Sequence, residues 1–288
     1  MSWMWLLSVA ALAGLYAPVF QQLGGVWWTD SYAAHGPFVP LFSAMLAWMD
    51  RDGLRATAGR GRPAGAVLVL GAVGLLGVGW WRGSLFLQGL SAVLAVAGLV
   101  LWRLGASCLR RAAFPVAFLL LMLPLPRAAV DAVTLDLQLF AVEFAGLALA
   151  LADVPFYRHG LLIQLPSLTL EVAEICNGLR FLLALFVLTV AFAQVTQRTV
   201  PRKLLLVASA IPIAILANAF RVAVIATGVH YVGPEVASGF IHHSIGKAVW
   251  ALTLVPLVTL GILLRLRQRP AARCEGSAHA AGAVEIPR

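Results

Sequence analysis

Phe181-Leu182-Leu183-Ala184-Leu185-Phe186-Val187-Leu188-Thr189-Val190 is a run fit only for lipid or a large protein core, and Glu174-Ile175-Cys176-Asn177-Gly178-Leu179-Arg180 stands directly before it. The border between them sets a carboxylate, a thiol, an amide and a guanidinium at the edge of an apolar segment. Composition chooses lipid over core. Of 288 residues, 61% are hydrophobic and 11% are charged, and the mean hydropathy is +0.91. A soluble domain carries about 25% charged residues, so the chain reads as an integral membrane protein.

The same pattern recurs on both sides of that run. Upstream, apolar spans are expected at about 5–20, 37–48, 66–79, 84–102 and 112–125. Downstream they are expected at about 179–192, 204–226 and 245–264. The first has neither a basic leader nor a small-residue cleavage site, so it reads as a retained helix rather than a signal peptide. Residues 128–152 are long enough to cross but carry Asp131, Asp136, Gln138 and Glu143. Residues 161–172 have β-like stretches broken by Pro166.

Charge supplies the orientation. The 21 Lys and Arg against 12 Asp and Glu raise nucleic acid as a partner, but that reading needs one clustered basic face. Here the basic residues fall in short blocks between apolar runs, as membrane topology requires. The blocks at 51–62, 103–111, 198–203 and 265–273 hold 14 Lys and Arg, whereas the opposite loops hold three, Arg82, Arg127 and Arg158. This positive-inside bias holds only if 128–152 makes no full crossing. The expectation is an all-α polytopic protein of eight spans with both termini cytoplasmic, residues 128–152 lying at the outer interface or buried among the spans. Residues 1–264 then form one transmembrane domain, and 265–288 form a basic, disordered cytoplasmic tail.

Under that topology Cys176, Arg221 and His242 all fall near the outer ends of spans. A thiol at a helix N-terminus gains thiolate character from the dipole and unpaired N–H groups; a free cysteine is also a common small buried side chain. Arg221, between Asn218-Ala219-Phe220 and Val222-Ala223-Val224, costs about 2.5–3.5 kcal/mol at mid-helix, so it is functional, paired or snorkelling outward. Asn218, three positions earlier, shares its face and can orient it. His242 and His243 are either an acid–base pair for the thiol or an interfacial pair. Arg180 either anchors the helix or binds a substrate carboxylate. Glu174 can orient His242 or pair with Arg221. Cys108, Cys176 and Cys274 have no metal-like spacing, and neither metal nor cofactor is expected.

Taken together, Glu174 to Arg180, then Asn218-Ala219-Phe220-Arg221, then His242-His243-Ser244-Ile245-Gly246 resemble, in order and spacing, the three signatures of the exosortase/archaeosortase family. Tyr32-Ala33-Ala34-His35-Gly36-Pro37 and Tyr157-Arg158-His159-Gly160 extend the likeness, which covers roughly residues 25–260. The resemblance implies a membrane-embedded cysteine protease or transpeptidase with Cys176, Arg221 and His242 as its catalytic residues. Glu174, Asn177, Arg180, Asn218, His243 and His35 are its supporting candidates. Asn177 stands where the family often has serine. The implied substrates are exported proteins ending in a Pro-Glu-Pro-like motif, an apolar helix and a basic end (PEP-CTERM-type sorting signals). They would be cut at the outer face of the cytoplasmic (inner) membrane, with water or an amine-bearing acceptor completing the reaction. Membrane lipid is the other partner and nucleic acid is not one. The competing expectations are a transporter or lipid-handling protein with an intramembrane arginine, and a non-catalytic assembly factor.

Overall fold

The computed structural model describes residues 3–171 and 178–266; Glu174, Cys176, Asn177 and most of the basic tail lie outside them. The described residues form ten α-helices and one small sheet. The N-terminal half comprises α1 (Trp3–Thr29), α2 (Phe38–Met49), α3 (Arg51–Thr57), α4 (Pro63–Trp81), α5 (Leu85–Arg111) and α6 (Ala113–Phe118), extended by a 3-10 turn, Leu119–Met122. The C-terminal half comprises α7 (Arg127–Leu151), strands β1 (Tyr157–His159), β2 (Leu162–Gln164) and β3 (Thr169–Glu171), α8 (Gly178–Thr196), α9 (Val200–Tyr231) and α10 (Gly239–Leu266).

Seven of these helices, α1, α4, α5, α7, α8, α9 and α10, are long and apolar enough to cross a membrane. Two of the eight expected spans are shorter than a crossing requires. Helix α2 has 12 residues, about 18 Å of helix, against a hydrocarbon layer of about 30 Å. The apolar helix Ala113–Met122 is shorter still. The two pack against each other and run in opposite directions. The Ser43 hydroxyl donates to the Pro115 carbonyl at 2.7 Å, and Arg111 makes a forked pair with Asp50 at 2.6 Å. That fork holds the Asp50 carboxyl below the usual carboxylate range. At the far end, the Trp27 indole donates to the Met122 carbonyl at 3.1 Å. Hydropathy sees two apolar stretches there, and the side-chain contacts show that they lie side by side.

Helix α7 is the long helix that the charge argument had set aside. Its carboxylates Asp131, Asp136 and Glu143 are exposed while Gln138 is buried, so the helix keeps its acidic side chains off its packed face. It starts a few residues after Met122, beside Trp27, and it ends beside the end of α9, where the Tyr231 hydroxyl donates to the Ala152 carbonyl at 2.9 Å. Both places lie at the end of the bundle remote from the Asp50–Arg111 pair and from the basic loop at the start of α9.

Close backbone approach sets the α4–α5 contact. A Cβ on Gly65 would lie 2.2 Å from the Trp102 nitrogen, and one on Gly98 would lie 3.0 Å from the Val69 nitrogen. Only small residues allow helices to pack this closely where lipid removes the usual hydrophobic drive. Gly105, at φ +86°, breaks the helical path of α5, a conformation that glycine adopts without cost.

The β-like stretches within 161–172 become β2 and β3, and residues 157–159, which read as loop, add β1 to make a three-stranded antiparallel sheet in the order β1-β2-β3, with Ile163 opposite both Arg158 and Leu170. Ile163, Leu165 and Leu170 are buried with Val142, Leu149, Val222 and Val229 in one core. The sheet therefore caps the end of the α7–α9 pair. A second core joins α1, α2, α4, α5 and α6 to Val187 and Ala191 of α8, and a third joins the remaining lengths of α8, α9 and α10. An open cavity remains between the two halves.

Candidate active site

Three elements bring polar groups to this cavity. Helix α9 contributes Arg221 from its interior. Helix α10 contributes His242 and His243 near its start, and α8 contributes Arg180 in its first turn. The segment joining α1 to α2 closes the fourth side with Ser31, Ala34 and His35. The cavity volume is about 770 Å³, and Phe38, Phe42, Phe181, Leu188 and Trp250 supply much of its apolar wall.

The central contact joins Arg221 Nη2 and His242 Nε2 at 2.9 Å. A guanidinium can only donate, so Nε2 presents its lone pair and the neutral ring carries its proton on Nδ1. Arg221 Nε and His242 Nδ1 are both buried with no hydrogen-bond partner among the described residues. Buried polar atoms without partners are few in folded proteins and call for an explanation. Here they mark a pair with unused hydrogen-bonding capacity.

Gly246 lies close beside that contact. It lies one turn beyond His242 on α10, and a Cβ there would lie 3.2 Å from Arg221 Nη2. The glycine four residues after the histidine therefore leaves room for the guanidinium.

Each remaining sequence candidate has a definite place. His243 turns back and donates from Nδ1 to the Gly239 carbonyl at 2.6 Å, with its ring edge-on to His242 at 5.8 Å. It lines the cavity, but His242 is the ring that meets Arg221. Asn218 does not hydrogen-bond Arg221. It is buried against the start of α8, where a Cβ on Gly178 would lie 2.8 Å from its amide nitrogen. It packs under the start of α8, one turn before Arg221 on α9. Arg180 lines the cavity and is exposed to it. Cys176, Glu174 and Asn177 lie outside the described residues.

His35 lines the same cavity and donates from Nε2 to the Leu121 carbonyl at 3.0 Å. Burial pushes its pKa below the ordinary imidazole value, against the raising effect of that bond. Folding therefore favours the neutral ring. Its contribution to stability is fully present above the unfolded value of about 6.5 and is lost as pH falls through it, because the unfolded chain binds the proton first. Thermal unfolding in detergent is expected to shift to lower temperature between about pH 7.5 and pH 5.5. His35→Gln, which keeps a donor, should flatten that dependence; an unchanged slope would remove His35 as its source.

Sequence reasoning missed Lys247 and Trp250, which line the cavity from α10. A signal was available. Once the loop blocks are set aside, Arg180, Arg221 and Lys247 are the cations left within apolar helices, and Lys247 lies one turn from His243. The lysine was absorbed into an expected span.

A comparison with protein families matches residues 27–259 to the transmembrane exosortase family (Exosortase_EpsH). No curated protein and no solved structure matches the chain.

Proposed function

We propose, because the chain belongs to the transmembrane exosortase family, that it is a cysteine peptidase or transpeptidase that removes the C-terminal sorting signal of exported proteins. Cys176, Arg221 and His242 are its reacting residues. The carrying observation is the Arg221–His242 contact in a cavity whose wall includes Arg180, four residues after Cys176 in the sequence. The bias of basic residues toward one set of loops assigns that end of the bundle to the cytoplasm. The cavity then opens toward the periplasm or exterior of the inner membrane.

The chemistry follows from which lone pairs are free. With Arg221 donating to Nε2, the imidazole has no nitrogen ready to accept a proton, so the resting site is held inactive. A substrate carbonyl entering the cavity competes for the guanidinium. As Arg221 turns to that oxygen, Nε2 is released and takes the thiol proton of Cys176. The sulfur bonds to the carbonyl carbon, and Arg221 stabilises the oxyanion with its fixed fork of donors. Collapse breaks the C–N bond, and the imidazolium gives its proton to the departing amine. Water or an amine-bearing acceptor then attacks the thioester, His242 takes the acceptor's proton, and the thiolate leaves and is reprotonated.

Thiol alkylation tests this reading against a transporter or assembly role. In a Cys108→Ser, Cys274→Ala background, N-ethylmaleimide added from outside should label Cys176 and stop cleavage of a tagged exported substrate. Full labelling with undiminished cleavage would leave the cysteine incidental.

A further inference from the structure

Hydrogen-bond parity fixes which backbone groups of the sheet are already used. The Leu165 N–H donates to the Leu168 carbonyl at 2.9 Å across the Pro166-Ser167 turn. Opposed residues of an antiparallel pair alternate between bonded and non-bonded, so the next bonded pair between β2 and β3 is Ile163 with Leu170. Leu162, Gln164, Thr169 and Glu171 therefore turn their N–H and C=O groups away from that ladder. Those of Leu162 and Gln164 meet β1, where they stand opposite His159 and Tyr157. Those of Thr169 and Glu171 point off the edge of the sheet, because β3 is an outer strand. They meet no other hydrogen-bonding group among the described residues. The opposite edge is poorer, since of the three residues of β1 only Arg158 points its backbone groups outward.

Thr169 and Glu171 are exposed, and Leu170 between them is buried. An exposed row of unpaired donors and acceptors is a template for another strand. These two residues, about 7 Å apart, offer two of each. Where β3 leads identifies what pairs with it. Ile163, Leu165 and Leu170 share one core with Val222, and Ile245 packs against that core. Val222 and Ile245 are the chain neighbours of Arg221 and Gly246, so the sheet rests on the stretches of α9 and α10 that bear the reacting pair. Cys176 follows Glu171 by five residues, about 18 Å of chain at full extension. A polypeptide extended for attack at that sulfur is within reach of the edge. We infer that β3 binds the substrate by strand addition, Thr169 and Glu171 pairing through their main chain with an extended segment of the exported protein. The assignment rests on the peptide-cleaving reading of the cavity and adds to it a mode of binding that reads backbone rather than side chain. A second copy of this chain, paired edge to edge, satisfies the same groups but does not account for an edge set so close in sequence to the nucleophile.

The test uses the full chain carrying Cys176→Ala in phosphatidylcholine nanodiscs, so that binding is read without turnover. The probe is a fluorescein-labelled peptide with a short extended segment ahead of an apolar helix. It is methylated in turn on each backbone nitrogen of that segment that carries a hydrogen, which removes a donor and keeps the side chain. Two positions, spaced two apart, should each lose at least about tenfold in affinity by fluorescence anisotropy, and the position between them less than about twofold. On the protein, Thr169→Pro removes an outward N–H that β2 does not use, a place where a strand edge tolerates proline. It should weaken binding of the unmethylated peptide at least about tenfold. Thr169→Ala and Glu171→Gln keep the main chain and should bind within about twofold of the parent. Losses without the alternation, or alanine and glutamine variants as damaging as the proline, would assign the contact to side chains and overturn strand addition. If Thr169→Pro fails to insert, the methylation series against the unaltered strand decides alone. A Thr169→Pro protein that loses a dimer in detergent but keeps its peptide affinity would give the edge to a second copy and overturn the inference too. Normal cleavage by Thr169→Pro in the Cys176 protein, with a flat methylation series, would remove the strand pairing and leave the cysteine chemistry standing; a Cys176→Ala protein that still cuts the peptide would end both.

Discussion

Cys176→Ala is expected to give a protein that inserts normally and leaves its substrate uncut, with cleavage lowered at least about a thousandfold. In the proposed reaction, sulfur is the only protein atom that bonds to the substrate, so its loss cannot be compensated by the groups around it. The Arg221–His242 contact does not involve Cys176, so the variant should keep its cavity and still bind substrate. That combination, binding without turnover, separates loss of a nucleophile from loss of the fold. The measurement is an immunoblot of a tagged exported substrate in cells whose sole copy of the protein is the variant, with membrane insertion checked in parallel. Cys176→Ser should fail to almost the same degree, because a hydroxyl at this position lacks thiolate character. A non-catalytic assembly factor would tolerate serine, and normal processing by either variant would end the peptidase reading.

Arg221→Lys is expected to lower kcat by about 10²- to 10³-fold, the usual cost of removing one oxyanion-stabilising group, with a much smaller change in KM. Charge is conserved in this substitution, so its effect isolates geometry. The guanidinium reaches His242 with Nη2 while Nε remains unpartnered among the described residues, and it can shift between ring and carbonyl without losing all its bonds. An ammonium is a compact point charge without the planar fork. Peptide cleavage in nanodiscs, followed over a range of substrate concentrations, reads kcat and KM separately. A rise in KM with kcat unchanged would reassign Arg221 to substrate binding.

Some of this architecture was legible because it is written locally. Lipid-compatible runs such as Phe181 to Val190 and the basic blocks between them need only composition and order to be read. The strands around Pro166 were also visible, because β-like residues and a breaker lie side by side. Other features had no local signature. Helix α2 and the helix at Ala113–Met122 read as two crossings, each is shorter than a typical span, and the Ser43–Pro115 contact shows that they lie side by side. Residues 128–152 keep their carboxylates exposed, and which of the other faces is buried is set by packing against α9 and the sheet. Asn218 shares the face of Arg221 by helical spacing, and its packing against Gly178 of α8 is set only by the fold.

By itself the sequence determined that the chain lives in a membrane, which family it belongs to, and that Arg221 and His242 lie near the same depth. Hydropathy and motif order are properties of consecutive residues and survive without a fold. Only the tertiary structure decided that His242 rather than His243 meets the guanidinium, that Gly246 makes room for it, and that His35 and Lys247 share the cavity. Those facts depend on how each helix is rotated about its axis and which neighbour it faces. Packing sets that rotation, and no stretch of consecutive residues encodes it.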